Sequence, residues 1–192
     1  MNKTRLEAFS DGVIAVIITI MVLELKVPHG DELASLAPLV PVFLSYVLSF
    51  IYAGIYWSNH HHLFHAVHHV NGRILWANLH LLFWLSLVPF TTGWVGEYPR
   101  AATPTAVYGG VFLMAGVAWL LLQDALVKRN GPDSLLARAV GGDLKGKLSA
   151  LLYASAILLA FVKVWIADAL YVLVALIWFV PDRRIERSID PV

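Results

Sequence analysis

From Ala34 to Asn59 the chain carries no formal charge, and the stretch from Ala101 to Gln123 is uncharged as well. Between them, Ile74 to Gly96 holds nothing ionisable except His80. The hydrocarbon core of a bilayer, about 30 Å thick, is crossed by about 20 mostly apolar helical residues. It tolerates only backbone that satisfies its own hydrogen bonds. These runs therefore predict an all-α integral membrane protein. Composition agrees, since 14% of residues are charged against roughly 25% in soluble domains.

Six transmembrane helices are predicted, over 6–27, 36–60, 74–96, 104–127, 145–162 and 165–181, forming one domain across 1–192. Pro38 and Pro41 fall near the start of the second span, where proline is tolerated. Thr103-Pro104-Thr105 reads as an N-cap followed by proline at the first helical position. Leu148 to Val180 is too long for one crossing and carries Lys163 and Asp168 near its middle, which predicts a tight turn at Lys163 to Trp165. Of 14 Lys and Arg residues, only Lys26, Arg100 and Lys163 fall in loops on one side. The other 11 share the opposite side with both termini, which makes that side cytoplasmic. Lys3 and Arg5 before an apolar run resemble a signal peptide in outline, but Asp11 interrupts the run and no A-x-A pattern follows.

Tyr56, Trp57 and Trp76 at the inner ends of their spans, with Trp94 and Tyr98 at the outer end, suit interfacial belts. Gly109 and Gly116 share a face of the fourth span and are expected to allow close helix packing. The chain has no cysteine, hence no disulfide, thiolate metal site or cysteine nucleophile. It also lacks G-x-S-x-G, H-E-x-x-H, a P-loop and G-x-G-x-x-G, so no common enzyme class is indicated. A TVGYG-type carbonyl filter is missing too. Anything conducted must be selected by side chains.

Two features carry chemistry. The run NHHHLFHAVHH (Asn59 to His69) would place His61, His65, His68 and His69 on one helix face, a passable metal-ligand spacing. No acid lies near it in sequence, so the preferred reading is a hydrated helix end, with His60 and His61 packing against the first helix and no metal bound. Asp11 is the second feature, because an ionisable group inside a membrane helix suggests function. At about 100° per residue, Val16, Ile20, Leu23 and Val27 form one stripe with Thr19 at its edge. Asp11 lies about 140° from Val16 on the same wheel, so it points into the protein behind that stripe.

Arg5-x-x-x-Phe9-Ser10-Asp11-Gly12, with Thr19 eight residues after the aspartate, resembles the signature of the transmembrane protein 175 family. These are potassium-permeable channels of endosomes, lysosomes and bacterial membranes. Trp57-x-x-His60-His61-x-Leu63-Phe64, Asn78 through Pro89-Phe90-Thr91, and Pro181-Asp182-Arg183-Arg184 are similar to the same family. The resemblance thus covers essentially the whole chain. A single six-helix unit looks like the bacterial form, which implies a homotetramer in a bacterial inner membrane. The first helices would surround a central pore, with no cofactor beyond the permeant K⁺ ion. The resemblance further implies apolar constrictions at Val16, Ile20 and Leu23 and a selectivity layer at Thr19. Val16 departs from the larger isoleucine or leucine common there, which would widen its layer. Arg5, Phe9, Ser10, Asp11, Gly12, His60, His61 and Asn78 are expected to anchor the helix, with Ser10 and Asp11 bonding to partners such as His60, His61 and Asn78. Glu24 is expected at the outer mouth or in a salt bridge with Lys26. The competing reading is a proton- or metal-linked transporter using Asp11 and the histidines.

Overall fold

The computed structural model describes residues 2–67, 69–131, 134, 136–137 and 144–179. His68, the Pro181–Arg184 stretch, the end of the sixth span, and Arg138 and Arg187 lie outside the described residues. The described elements are helical. Helix α1 (Lys3–Met21) ends in a 3-10 turn (Val22–Glu24), and a second 3-10 segment (Leu33–Leu39) leads into α2 (Val40–His65). Then come α3 (Gly72–Ser86), α4 (Val88–Glu97), α5 (Ala102–Asn130), α6 (Leu144–Ala160) and α7 (Val164–Phe179). Among the described residues, four segments are long and apolar enough to cross a bilayer: Lys3–Glu24, Leu33–His65, Gly72–Glu97 and Ala102–Asn130. The α6–α7 pair forms a hairpin whose arms, at 17 and 16 residues, each reach about 25 Å.

The expected third span is two helices rather than one. Pro89 cannot donate the hydrogen bond that would continue α3, and the chain turns at Leu87, whose amide reaches Trp84 O at 3.2 Å. Hydroxyls add bonds in the first turn of α4: Thr91 Oγ1 donates to Val88 O at 3.1 Å and Thr92 Oγ1 to the same oxygen at 2.7 Å. The hairpin turn falls at 161–163, two residues before the expected place, where Lys163 N and Val162 N both donate to Leu159 O. Helix α5 starts before the Thr-Pro-Thr motif. Its N-cap is Ala101, and Thr105 turns its hydroxyl back to Ala101 O at 3.0 Å.

Two packed clusters hold the bundle. Leu6, Ile14 and Ile17 of α1 join Leu63 and Phe64, the α3 leucines, and Ala118 and Leu122 of α5. Met21 enters a second, aromatic cluster around Tyr52, Tyr108, Phe112, Tyr153 and Tyr171. Ring centroids of Tyr52 and Phe112 are 4.3 Å apart, and Tyr108 meets Phe112 edge-on at 4.9 Å. Away from water a phenol needs an internal partner. Tyr108 pairs with Ser49 at 3.0 Å, Tyr171 donates to Thr105 O at 3.0 Å, and Tyr52 donates to Tyr171 O. Tyr56 packs inward against Phe112 and Trp119 rather than standing in an interfacial belt, whereas Trp57 and Trp76 are exposed.

The two glycines of α5 differ. A Cβ at Gly109 would collide with the Tyr171 hydroxyl, so close packing needs this glycine, whereas a Cβ at Gly116 would meet nothing within 4 Å. The shared packing role expected from sequence therefore holds for Gly109 and not for Gly116. Overpacking costs about 1–3 kcal/mol, and one kcal/mol moves the midpoint of a chain this size by roughly 2–4 °C. Gly109→Ala should lower the thermal midpoint in detergent by several degrees while Gly116→Ala leaves it unchanged. Equal midpoints for the two variants would refute this assignment.

Candidate functional site on the first helix

Helix α1 presents three faces. Leu6, Ser10, Ile14, Ile17 and Met21 are buried, at spacings of four, four, three and four that keep them on one side. Lys3, Glu7 and Asp11 follow at intervals of four and turn towards α2. The third face is open: Val16 is 56% exposed, Ile20 39% and Leu23 75%. Thr19 and the smaller Ala8, Gly12 and Ala15 are exposed with them.

A buried polar chain sets this orientation. Asn78 Nδ2 donates to Ser10 Oγ at 2.8 Å, and Ser10 Oγ donates to Leu6 O at 2.9 Å. Asn78 Oδ1 lies 2.8 Å from His60 Nε2. With the Asn78 amide nitrogen committed, its oxygen must accept, so His60 carries its proton on Nε2. All three side chains are fully buried, and the His60 ring stacks on Phe64 at 4.5 Å. The chain ties α1 to α3 and α3 to α2.

The face towards α2 is a polar ladder. Lys3 Nζ donates to Phe64 O at 2.8 Å and Val67 O at 3.1 Å, carbonyls at and just past the C-terminal end of α2, where a cation is favoured. Glu7 Oε1 lies 3.7 Å from His61 Nδ1, an ion pair whenever the imidazole is protonated. Asp11 Oδ1 accepts from Trp57 Nε1 at 3.1 Å. Asp11 does not bond to His60, His61 or Asn78, as the sequence suggested. It sits one residue, about 100°, around the helix from Ser10, which aims it at α2 instead of α3. Lys3, Glu7 and Trp57 were missed as participants, although the four-residue spacing of Lys3, Glu7 and Asp11 was a readable sign.

Other anticipated residues lie elsewhere. Phe9 and Gly12 face outward, the former 53% exposed, and Arg5 is exposed without a hydrogen bond or ion pair among the described residues. Thr19 Oγ1 donates to Val16 O at 2.9 Å, which leaves its oxygen lone pairs free for another donor or a cation. Glu24 makes no ion pair with Lys26 among the described residues. Its side chain lies across α4 at Gly93, where an added Cβ would come within 2.6 Å of Oε2. The His61 and His65 rings are 6.1 Å apart, but among the described residues no three His, Asp or Glu side chains gather as metal ligands would.

A sequence model described as "Endosomal/lysosomal potassium channel TMEM175" matches residues 5–89, which include α1 and the buried chain. A protein from Chryseobacterium sp. (strain P1-3) named a potassium channel is 53% identical, with 98% of each chain covered. The chain belongs to the TMEM175 family. A second relative, named a potassium channel of Chamaesiphon minutus, is 33% identical over 85% of this chain and 86% of its own. The crystal structure of a lysosomal potassium-selective channel TMEM175 homolog from Chamaesiphon minutus superposes with a TM-score of 0.80. That match covers 94% of this chain and 97% of the other at 30% identity. The human protein named endosomal/lysosomal proton channel TMEM175 is 38% identical over 56% of this chain and 22% of its own length.

In this TMEM175 member the loss of Asn78 leaves the buried His60 Nε2–H without an acceptor and takes the donor from Ser10 Oγ, and an unsatisfied buried group costs about 1–3 kcal/mol. Asn78→Ala should therefore unfold at markedly lower temperature than the parent protein. Asp11→Asn, at a half-exposed position, should lose about 1 kcal/mol or less, as surface hydrogen bonds do. Thermal unfolding in detergent measures both; the reverse ranking would place the anchor at Asp11.

Proposed function

We propose that the chain forms a homotetrameric, potassium-permeable channel in a bacterial inner membrane, with both termini in the cytoplasm. The observation that carries the proposal is the open apolar face of α1: in a lone subunit Val16, Ile20 and Leu23 stay exposed, yet the helix behind them is locked by buried polar bonds. Four such faces around an axis give stacked apolar rings with Thr19 between them. Relatives named potassium channels support the same reading.

The physical chemistry follows from those side chains. Apolar rings close a pore by dewetting rather than by a solid plug, because a narrow apolar neck excludes water before it excludes atoms. Slight splaying of the first helices would wet it. The Thr19 hydroxyl, already donating to the Val16 carbonyl, can offer only lone pairs to the axis, which suits a cation that has shed part of its hydration. Val16 is the smallest of the three constriction residues, so the tightest layer falls at Ile20 or Leu23. Glu24, exposed beyond that end, adds negative potential at the outer mouth.

Potassium flux from liposomes holding a potassium gradient tests this, repeated with an imposed pH gradient. Ile20→Ala and Leu23→Ala should each raise basal flux several-fold, with the reversal potential following potassium. Unchanged flux in both variants, with the oligomer intact, would overturn the constriction. Flux that saturates, follows the pH gradient and disappears in His61→Gln would favour a proton-coupled transporter.

A further inference from the structure

Between α2, α5 and α6 lies a cavity of about 70 Å³, closed at one side by Trp178 of α7. It runs from Tyr52, Leu113 and Tyr153 deep in the bundle to Asn59, Leu120 and Gly146 near the end where basic residues collect. Its walls are overwhelmingly apolar, and in water such a space would stay empty. Here it is only partly enclosed and lies between membrane helices.

Three independent observations mark it as a site. Gly116 lines it, and a Cβ there would meet nothing within 4 Å; helix packing does not require that glycine, and its effect is to keep the space open. Trp119 lines it, is 6% exposed, and its buried Nε1–H has no hydrogen-bond partner. A buried donor without an acceptor is costly, and this one belongs to a residue lining the shallow part of the cavity. Lys145, one residue before the lining Gly146, places Nζ 5.9 Å from the centroid of the Trp178 ring at the cavity wall. Read from depth to surface, the site offers an apolar slot, one donor, and a cation.

We propose that this cavity binds an anionic phospholipid from the leaflet at the basic end of the bundle. One acyl chain would occupy the slot beside Gly116, an ester carbonyl would accept from Trp119 Nε1, and the phosphate would lie at Lys145. The order of these groups along a phospholipid matches the order of the side chains. The proposal does not depend on what the chain conducts, and α2, which forms one wall, is also the helix whose Trp57 and His60 hold α1 in place.

Photolabelling of the full-length protein in phosphatidylcholine nanodiscs, using phosphatidylglycerol with a diazirine on its acyl chain, tests it. In the parent protein, label should map to the walls at 52–59 and 113–120. Unlabelled phosphatidylglycerol should compete far better than phosphatidylcholine. Gly116→Leu, which fills the slot, should reduce that label several-fold; Ala150→Leu, filling from the α6 wall, reads the same should Gly116→Leu fail to fold. Lys145→Gln should keep the label and bring the two competitors to parity. Undiminished label in the filled variant would show only ordinary boundary lipid, and equal competition in the parent would show an uncharged occupant. Either result overturns the assignment.

Discussion

The structure turns on one asparagine amide. Asn78 donates to Ser10 on α1 and accepts from His60 on α2, inside a region where neither water nor lipid could replace those bonds. Without water as a competitor, leaving any of the three groups unmade is the expensive alternative. A helix held only by apolar contacts could rotate by a fraction of a turn at little cost, since lipid tails are as apolar as its own leucines. Ser10 removes that freedom. Once it is fixed towards α3, the 3.6-residue repeat puts Lys3, Glu7 and Asp11 against α2 and turns Val16, Ile20 and Leu23 outward.

This division of labour explains why the polar residues of α1 and its apolar residues serve opposite purposes from those first suggested by their chemistry. Apart from the exposed Arg5, the ionisable groups near the start of the helix are engaged with the rest of the subunit: Lys3 on carbonyls at the end of α2, Glu7 beside His61, Asp11 under Trp57. Beyond Thr4 and Arg5 at its start, what the helix leaves free is hydrocarbon and one threonine. In a membrane an exposed valine or leucine ordinarily means lipid, and α2 too exposes large apolar side chains such as Phe43 and Leu44. The α1 face differs because it is continuous with small residues at 8, 12 and 15 and with a hydroxyl at 19.

Much of this was legible in the sequence. Uncharged runs marked the long spans, since a bilayer imposes a length that few other environments do, and the wheel separated Asp11 from the stripe of Val16, Ile20 and Leu23. The part that could not be read was pairing between elements. Periodicity fixes which face a residue occupies, but not which neighbour stands opposite, so Asp11 was expected among the partners that belong to Ser10. The break at Leu87 was missed because an apolar composition continues straight through Pro89. Gly116 looked like Gly109 because a glycine that admits a neighbour and one that leaves a gap are identical in sequence.

The most direct test of the account uses the absence of cysteine from the chain. Single cysteines placed at 16, 20 and 23, at 14 and 17, and at 43 can be challenged with a small cationic thiol reagent during potassium flux. If the open face of α1 lines the conduction path, reagent should block flux through the variants at 16, 20 and 23 and spare those at 14, 17 and 43. Block at 43, or none at 20 and 23, would contradict it.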